Sequence, residues 1–328
     1  MILAGDIGGT KTSIARFEVR GGLPGPPVGL ERLPSWSFPA FEALVGDYLA
    51  RHPGPIDEAC FGIAGAVVDG SVHVTNLPWT VENATLARAL GLDRVHFIND
   101  LVATGYGIEA LTPGELETLQ AAAPSKDSNA GLLAAGTGLG ETILVRVNGR
   151  FLPVPSESGH TDFAARTDDE LRVFRAFRAR YGRVSWERVV SGLGMVALGE
   201  FFHEERGAVA DWKRHLGEAG ENGPAEVVSR LGMARECPAC EDALRLFVGA
   251  YGAEAGNMAL RAVACSGIYL GGGIAPRILP ALKWPIFLEA FRDKDNLRPL
   301  LTTIPVWVIR NELTGLLGAA RYAATAKG

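Results

Sequence analysis

Runs of basic residues are missing from this chain. Its 32 lysines and arginines are interleaved with 37 aspartates and glutamates, for a net charge of −5, and without a basic stripe there is nothing for a nucleic-acid backbone to lie against. Long apolar runs are missing as well. The charge-free stretch from Ala262 to Pro276 is too short and too rich in glycine to span a bilayer. At the N-terminus no basic segment precedes an apolar run, and Asp6 interrupts the apolar residues that are there, so no secretory signal is expected. Cysteine is scarce: Cys60, Cys237, Cys240 and Cys265 are too few for a disulfide framework, which fits a reducing cytoplasm. Cys237 and Cys240 form a C-P-A-C pair. That is half of a zinc site or a redox dithiol, yet no second C-x-x-C or Cys/His pair follows to complete four ligands. A structural pair without a metal is the expectation.

What is present is an α/β alternation. A chain of 328 residues with a 47% apolar share can form two domains, each with its own core. Strand signals in MILAGDI and SIARFEV are followed by a Pro/Gly turn at 21–27, a helix near Phe41 to Ala50, the strand ACFGIAG, a helix Ala84 to Leu90 and the strand RVHFIND. Near position 110 the pattern loosens into TPGELETLQAAAPSKDSNAG, a polar junction with an exposed loop. GLLAAGTGLGETILVRVNGRF then repeats the plan of the opening: apolar strand, glycine turn, alternating strand. Helices are predicted over Asp168 to Arg180, Trp186 to Gly192, Met195 to Glu204 and Leu244 to Cys265. The strands GIYLGGGIA and IPVWVIR come next, and a last helix runs from about Thr314 to Ala326. Arg172, Arg175, Arg178 and Arg180 read as a solvated helix face. The boundaries that follow are a small α/β domain of residues 1–110 plus 312–328 and a large one of 111–311.

The octet GDIGGTKT raises the question of which phosphate it holds. Neither the dinucleotide fingerprint nor the P-loop fits, because both open a helix whereas Ser13 to Val19 alternate like a strand. Gly8-Gly9 is therefore the turn of a β-hairpin, with Asp6 at the end of the first strand and Thr10 and Lys11 past the bend. Three further places stand out: FIND at 97–100, PSESGH at 155–160 and LGGGIAP at 270–276. Each has a plain structural reading. Asn99-Asp100 is a helix N-cap pair, His160 a hydrogen-bonded core histidine, and Gly271-Gly272-Gly273 a strand-to-helix turn. For Trp79, in TNLPW, a place in the core is preferred to stacking on a ligand.

Taken in order, GDIGGTKT, FGIAGAV, TNLPW, FIND, AAGTGLGETIL, SGHTDFA, VSWERVVSG, the C-x-x-C pair, GNMALR, LGGGIAPR and GLLGAARY resemble the bacterial-type ATP-dependent glucokinases of the sugar kinase and actin-like ATPase superfamily, end to end. The zinc-binding cysteine cluster of the related repressor/kinase class is missing. One departure is PSESGH, where Ser156 and Ser158 replace glycines usual beside the glutamate. The resemblance implies a two-domain actin-like (ribonuclease-H-like) α/β fold around a central cleft and phosphorylation of the 6-hydroxyl of glucose by ATP and Mg²⁺. Asp100 would be the base and Asp6 the Mg²⁺ ligand, directly or through water. Gly8, Gly9, Thr10, Lys11, Gly136, Thr137, Gly138, Gly271, Gly272 and Gly273 would hold ATP. Asn76, Asn99, Asp100, Glu157, His160 and Glu187 would bind glucose. A cytoplasmic homodimer is implied, with no nucleic-acid or membrane partner. Another hexose as substrate, or a sugar sensor without catalysis, stays open at this point.

Overall fold

The computed structural model describes residues 1–65, 71–74, 77–219 and 223–326. Packing divides the chain into two units, Met1–Glu115 with Arg150–Pro155 and Asn311–Gly328, and Leu116–Gly149 with Ser156–Arg310. In the first, strands β1 (Ile2–Ile7), β2 (Lys11–Phe17), β3 (Val28–Pro34), β4 (Glu58–Ile63) and β5 (His96–Asn99) form a sheet in the order β3-β2-β1-β4-β5. Strand β1 pairs antiparallel with β2 and parallel with β4. Its inner strands read as nearly unbroken apolar runs because both faces are covered. One face packs Leu3, Ile7, Ile14 and Phe61 against Phe41, Leu44 and Tyr48 of helix α1 (Phe41–Arg51). The other packs Ile2, Ala4, Ala15 and Cys60 against helix α2 (Asp100–Gly107) and the C-terminal helix Thr314–Thr325. Those two helices touch backbone to backbone. A Cβ on Gly318 would lie 1.7 Å from the Ala103 carbonyl oxygen, so the small residues of GLLGAA are there for close approach. Trp79 is buried beside Phe41, with its Nε1 donating to the Phe38 carbonyl at 3.2 Å, as its core reading expects.

The second unit repeats the plan. Strands β6 (Leu116–Gln120), β7 (Ala130–Ala135), β8 (Leu139–Val147), β9 (Gly267–Gly271) and β10 (Val306–Ile309) run in the order β6-β10-β9-β7-β8. Again an antiparallel hairpin, β7-β8, adds to a parallel pair, β7-β9. The weak repeat between the two glycine segments is thus a repeat of topology. Helices α3 (Asp168–Tyr181), α4 (Gly192–Glu205), α5 (Val209–Gly217), α6 (Pro224–Ala234) and α7 (Pro238–Ala262) supply its core with β7, β9 and β10. A capping box starts α3, with the Thr167 hydroxyl accepting from Glu170 N at 3.2 Å and the Glu170 carboxylate from Thr167 N at 3.3 Å. Its arginines face outward and pair with acids, Arg172 with Glu205 and Arg180 with Glu200.

Two expectations fail. Part of the polar segment after residue 110 is a strand: β6 pairs antiparallel with β10, and a pairing partner almost 190 residues away leaves no local signature. The helix expected over Trp186 to Gly192 is a single turn, Val190 N to Trp186 O at 2.7 Å. The Ser191 hydroxyl ends it by capping α4, accepting from Gly194 N at 3.0 Å. No helix among the described residues is long and apolar enough to cross a membrane.

Candidate active site

In the first unit the hairpin turn closes through Gly8 N donating to the Lys11 carbonyl at 3.1 Å. A residue without a motif, Ser35, holds it: its Oγ donates to the Gly8 carbonyl at 2.8 Å and lies 3.0 Å from Thr12 Oγ1, while its N–H reaches the Thr10 carbonyl at 3.0 Å. Thr10 and Lys11 are thereby left exposed and Thr12 buried. Asp6 stands in register with Ser13 and Gly62. A Cβ on Gly315 would come 3.0 Å from its Oδ2, so only glycine lets the C-terminal helix lie against this carboxylate. Burial, and then the charge of Asp100, push the Asp6 carboxyl from 3.8 up to about 7.

Asp100 is the first residue of α2, at the carboxyl end of β5, where parallel sheets present their ligand groups. The cap reading holds for Asn99, whose Oδ1 accepts from Leu101 N at 3.0 Å and Val102 N at 3.3 Å. Its amide nitrogen points to the Gly65 carbonyl at 3.5 Å. One oxygen of Asp100 accepts from Leu101 N at 2.9 Å, which fixes the carboxylate at the helix start. Asn76 lies outside the described residues.

In the second unit Gly136 to Gly138 form the equivalent turn, with Gly136 N donating to Gly138 O at 2.8 Å. Glu187 fastens it to the cluster of polar candidates. Its Oε2 accepts from Leu139 N at 3.0 Å, and its Oε1 stands 3.7 Å from His160 Nδ1. His160 Nε2 in turn is 4.0 Å from the Glu157 carboxylate. His160 is 58% exposed and Glu157 83%, which sets aside the core reading of His160. A Cβ on Gly138 would sit 2.3 Å from Glu187 Oε2, so this glycine makes room for the carboxylate. Trp186 anchors the arrangement: it is buried edge-on against Phe163 at 4.9 Å, its N–H bonds Thr161 O at 3.0 Å, and the next N–H, of Glu187, bonds Gly159 O at 2.8 Å. Ser156 and Ser158 bond each other at 2.7 Å, and Ser156 Oγ donates to Glu141 O at 3.0 Å, so the loop is tied without engaging Glu157.

A cavity of about 350 Å³ opens beside the same turn, lined by Gly136, Thr137, Gly273, Ile274, Ser229 and Arg277 among others. Gly271 is buried within β9. Gly272 turns the chain at φ +77°, where a Cβ would meet the Ala135 carbonyl oxygen at 2.3 Å. Ser229, on α6, belongs to no glycine motif and escaped sequence reading; Arg277 ends the LGGGIAPR segment but was given no role, because only folding turns the short helix Ile274–Arg277 onto this cavity.

A family model described as glucokinase matches residues 3–326. A glucokinase of Nostoc punctiforme is 37% identical over 337 aligned residues, covering 99% of each chain. Among solved structures, a glucokinase from an Antarctic psychrotroph superposes with a TM-score of 0.86 at 28% identity over 98% of both chains. One from Balamuthia mandrillaris, in complex with glucose, superposes with a TM-score of 0.82 at 20% identity over 98% of this chain and 93% of its own.

Proposed function

We propose that this chain, which belongs to the glucokinase family, transfers the γ-phosphoryl group of ATP to the 6-hydroxyl of glucose. Its fold is the two-domain actin-like ATPase fold of the glucokinases it superposes on. One observation carries the reading furthest. Glu187 binds the glycine turn through Leu139 N with one oxygen and faces His160 with the other, so a grip on sugar hydroxyls and a phosphate-binding turn share one carboxylate.

Transfer to a hydroxyl requires a base, neutralisation of phosphate charge and donors that hold the phosphates in line. Asp100 takes the proton of the reacting hydroxyl; its place at the start of α2 and its bond from Leu101 N set its orientation. Glu157, His160 and Glu187, with Asn99 and Asn76, bind the remaining hydroxyls. The two glycine turns, Gly8-Gly9 and Gly136 to Gly138, closed by the Gly8 and Gly136 N–H groups themselves, bind phosphates through the other backbone N–H groups around them, with Thr10, Lys11 and Thr137, and the cavity at Gly273 receives the nucleoside, with Gly271 and Gly272 shaping its turn. Asp6 fits Mg²⁺ as a hard oxygen donor, since a divalent cation relieves both the burial and the repulsion from Asp100 that raise its carboxyl to about 7. Bound there, Mg²⁺ would neutralise phosphate charge. The same reading makes the protein a cytoplasmic homodimer, which light scattering and cell fractionation check.

The experiment is a hexose panel with ATP and Mg²⁺, coupling hexose 6-phosphate formation to NADP reduction. Glucose should be the best substrate. ADP release that no sugar stimulates, with glucose still bound by calorimetry, makes the protein a sensor instead, and a better turnover with another hexose reassigns the substrate.

A further inference from the structure

Sequence alone left the C-P-A-C pair short of ligands. Folding supplies one. His203, on the last turn of α4, brings its Nε2 to 3.3 Å from Cys237 Sγ, and the ligand atoms of His203, Cys237 and Cys240 all lie within 4.8 Å of one another. Among the described residues these three are the one group of histidines, cysteines and carboxylates gathered this way. All three are buried, at 1%, 6% and 0% exposure.

We propose that His203, Cys237 and Cys240 bind a divalent cation of the zinc class, as a structural staple between the end of α4 and the start of α7. Thiolates and imidazole are the donors such ions prefer, and tetrahedral sites built from them place neighbouring ligand atoms roughly 3.5–3.8 Å apart, against 3.3 Å for His203 to Cys237 and no more than 4.8 Å for any pair here. The imidazole is set up for it. His203 Nδ1 donates to the Gly199 carbonyl at 2.6 Å, which leaves the lone pair on Nε2 facing the sulfurs, the backbone support that metal-bound histidines usually have. Cys237 caps α7, and Cys240 N donates to its sulfur at 3.4 Å, which fixes where that sulfur points. Charge completes the case. Two thiolates, one neutral imidazole and a dication sum to zero, the state that costs least in a buried site. Binding expels two protons, one from each thiol, to solvent. His215 packs edge-on to the His203 ring at 5.8 Å, with its Nδ1 3.6 Å from the Glu218 carboxylate, and stands outside the three-ligand group, so the fourth position is left to water.

The staple would tie helices that also build the nucleotide cavity, since α4 begins with Gly192 and includes Met195, both on the cavity wall. It is independent of the proposed phosphoryl transfer and is tested on the full chain without substrates. Protein stripped with a chelator, kept reduced and titrated with Co²⁺ should bind one ion per chain, show a thiolate-to-cobalt charge-transfer band with tetrahedral d–d bands, and release two protons. Zn²⁺ should displace the cobalt, shield Cys237 and Cys240 from alkylation and raise the melting temperature. The charge-transfer band should weaken in Cys240→Ser and the tetrahedral spectrum should change in His203→Gln, with circular dichroism confirming that the variants fold. Absence of a cobalt spectrum in reduced wild type, an unaltered spectrum in Cys237→Ser/Cys240→Ser, or thiols alkylated equally fast with and without zinc would each overturn the proposal. The wild-type thiol measurement decides even where a variant does not fold.

Discussion

Replacing Asp6 by asparagine isolates what burial does to this carboxylate. With no metal or nucleotide present, its carboxyl titrates near 7 in the folded chain against 3.8 for an ordinary aspartate. Between those values the native state holds a proton that the unfolded state has released, so stability falls as pH rises across the window and the loss is complete above about 7. Asparagine mimics the neutral acid and has no such loss. A shift of about three units at 1.36 kcal/mol each corresponds to roughly 4 kcal/mol as an upper bound. Asp6 keeps some contact with solvent, which screens the penalty, and about 2–3 kcal/mol is the working figure. Asp6→Asn should therefore match wild type in stability near pH 4 and exceed it by that amount at pH 8, while kinase activity should fall with the proposed Mg²⁺ ligand removed. Chemical denaturation at both pH values, followed by a probe in the first unit so that its transition is read alone, measures the difference. A stability gap that is the same at pH 4 and pH 8 would refute the reasoning, because it would mean that Asp6 titrates alike in the folded and unfolded chain.

The remaining predictions concern the proposed chemistry and its supports. Asp100→Asn keeps shape but cannot accept a proton, so kcat should fall about 10²–10⁴-fold while calorimetry still detects glucose; a variant retaining most turnover removes Asp100 from the mechanism. Gly138→Ala places a methyl group 2.3 Å from Glu187 Oε2 and should cost about 1–3 kcal/mol in overpacking and lower kcat/KM, whereas unchanged kinetics would show that the Glu187 contact with the turn is idle. Wild type should use 1,5-anhydroglucitol, which lacks the anomeric hydroxyl, far less efficiently than glucose, and Glu187→Ala should narrow that gap; equal use of both sugars by wild type would exclude Glu157, His160 and Glu187 as an anomeric grip. Glu141 is raised to about 8 by burial and then by the charge of Glu254, with Arg261 opposing. Wild type should therefore lose stability as pH rises from about 4.5 to about 8, and Glu141→Gln should flatten the slope across that window in thermal melts; parallel slopes would contradict it.

Local periodicity and glycine spacing determined a good deal by themselves. The two glycine hairpins, the strands MILAGDI and GLLAAG, and the outward face of Arg172 and Arg180 were legible because each depends on neighbours a few residues away. Glu157, His160 and Glu187 were singled out as a polar cluster by the resemblance to a family, not by any local pattern. Tertiary structure decided the rest. Ser35 bonds the Gly8 carbonyl from 27 residues away, Glu187 bonds Leu139 N from 48, and His203 meets Cys237 from 34. No local pattern announces such contacts, since their partners are chosen by how sheets and helices pack. The segment expected as a helix at Trp186 to Gly192 became a turn because burying Trp186 against Phe163 and capping α4 with Ser191 outweigh local propensity over so short a stretch. The protonation of Asp6 belongs to the same class. Its sequence neighbours leave it an ordinary carboxylate; burial, to which the close approach of the C-terminal helix at Gly315 contributes, and then the charge of Asp100 push it up to about 7.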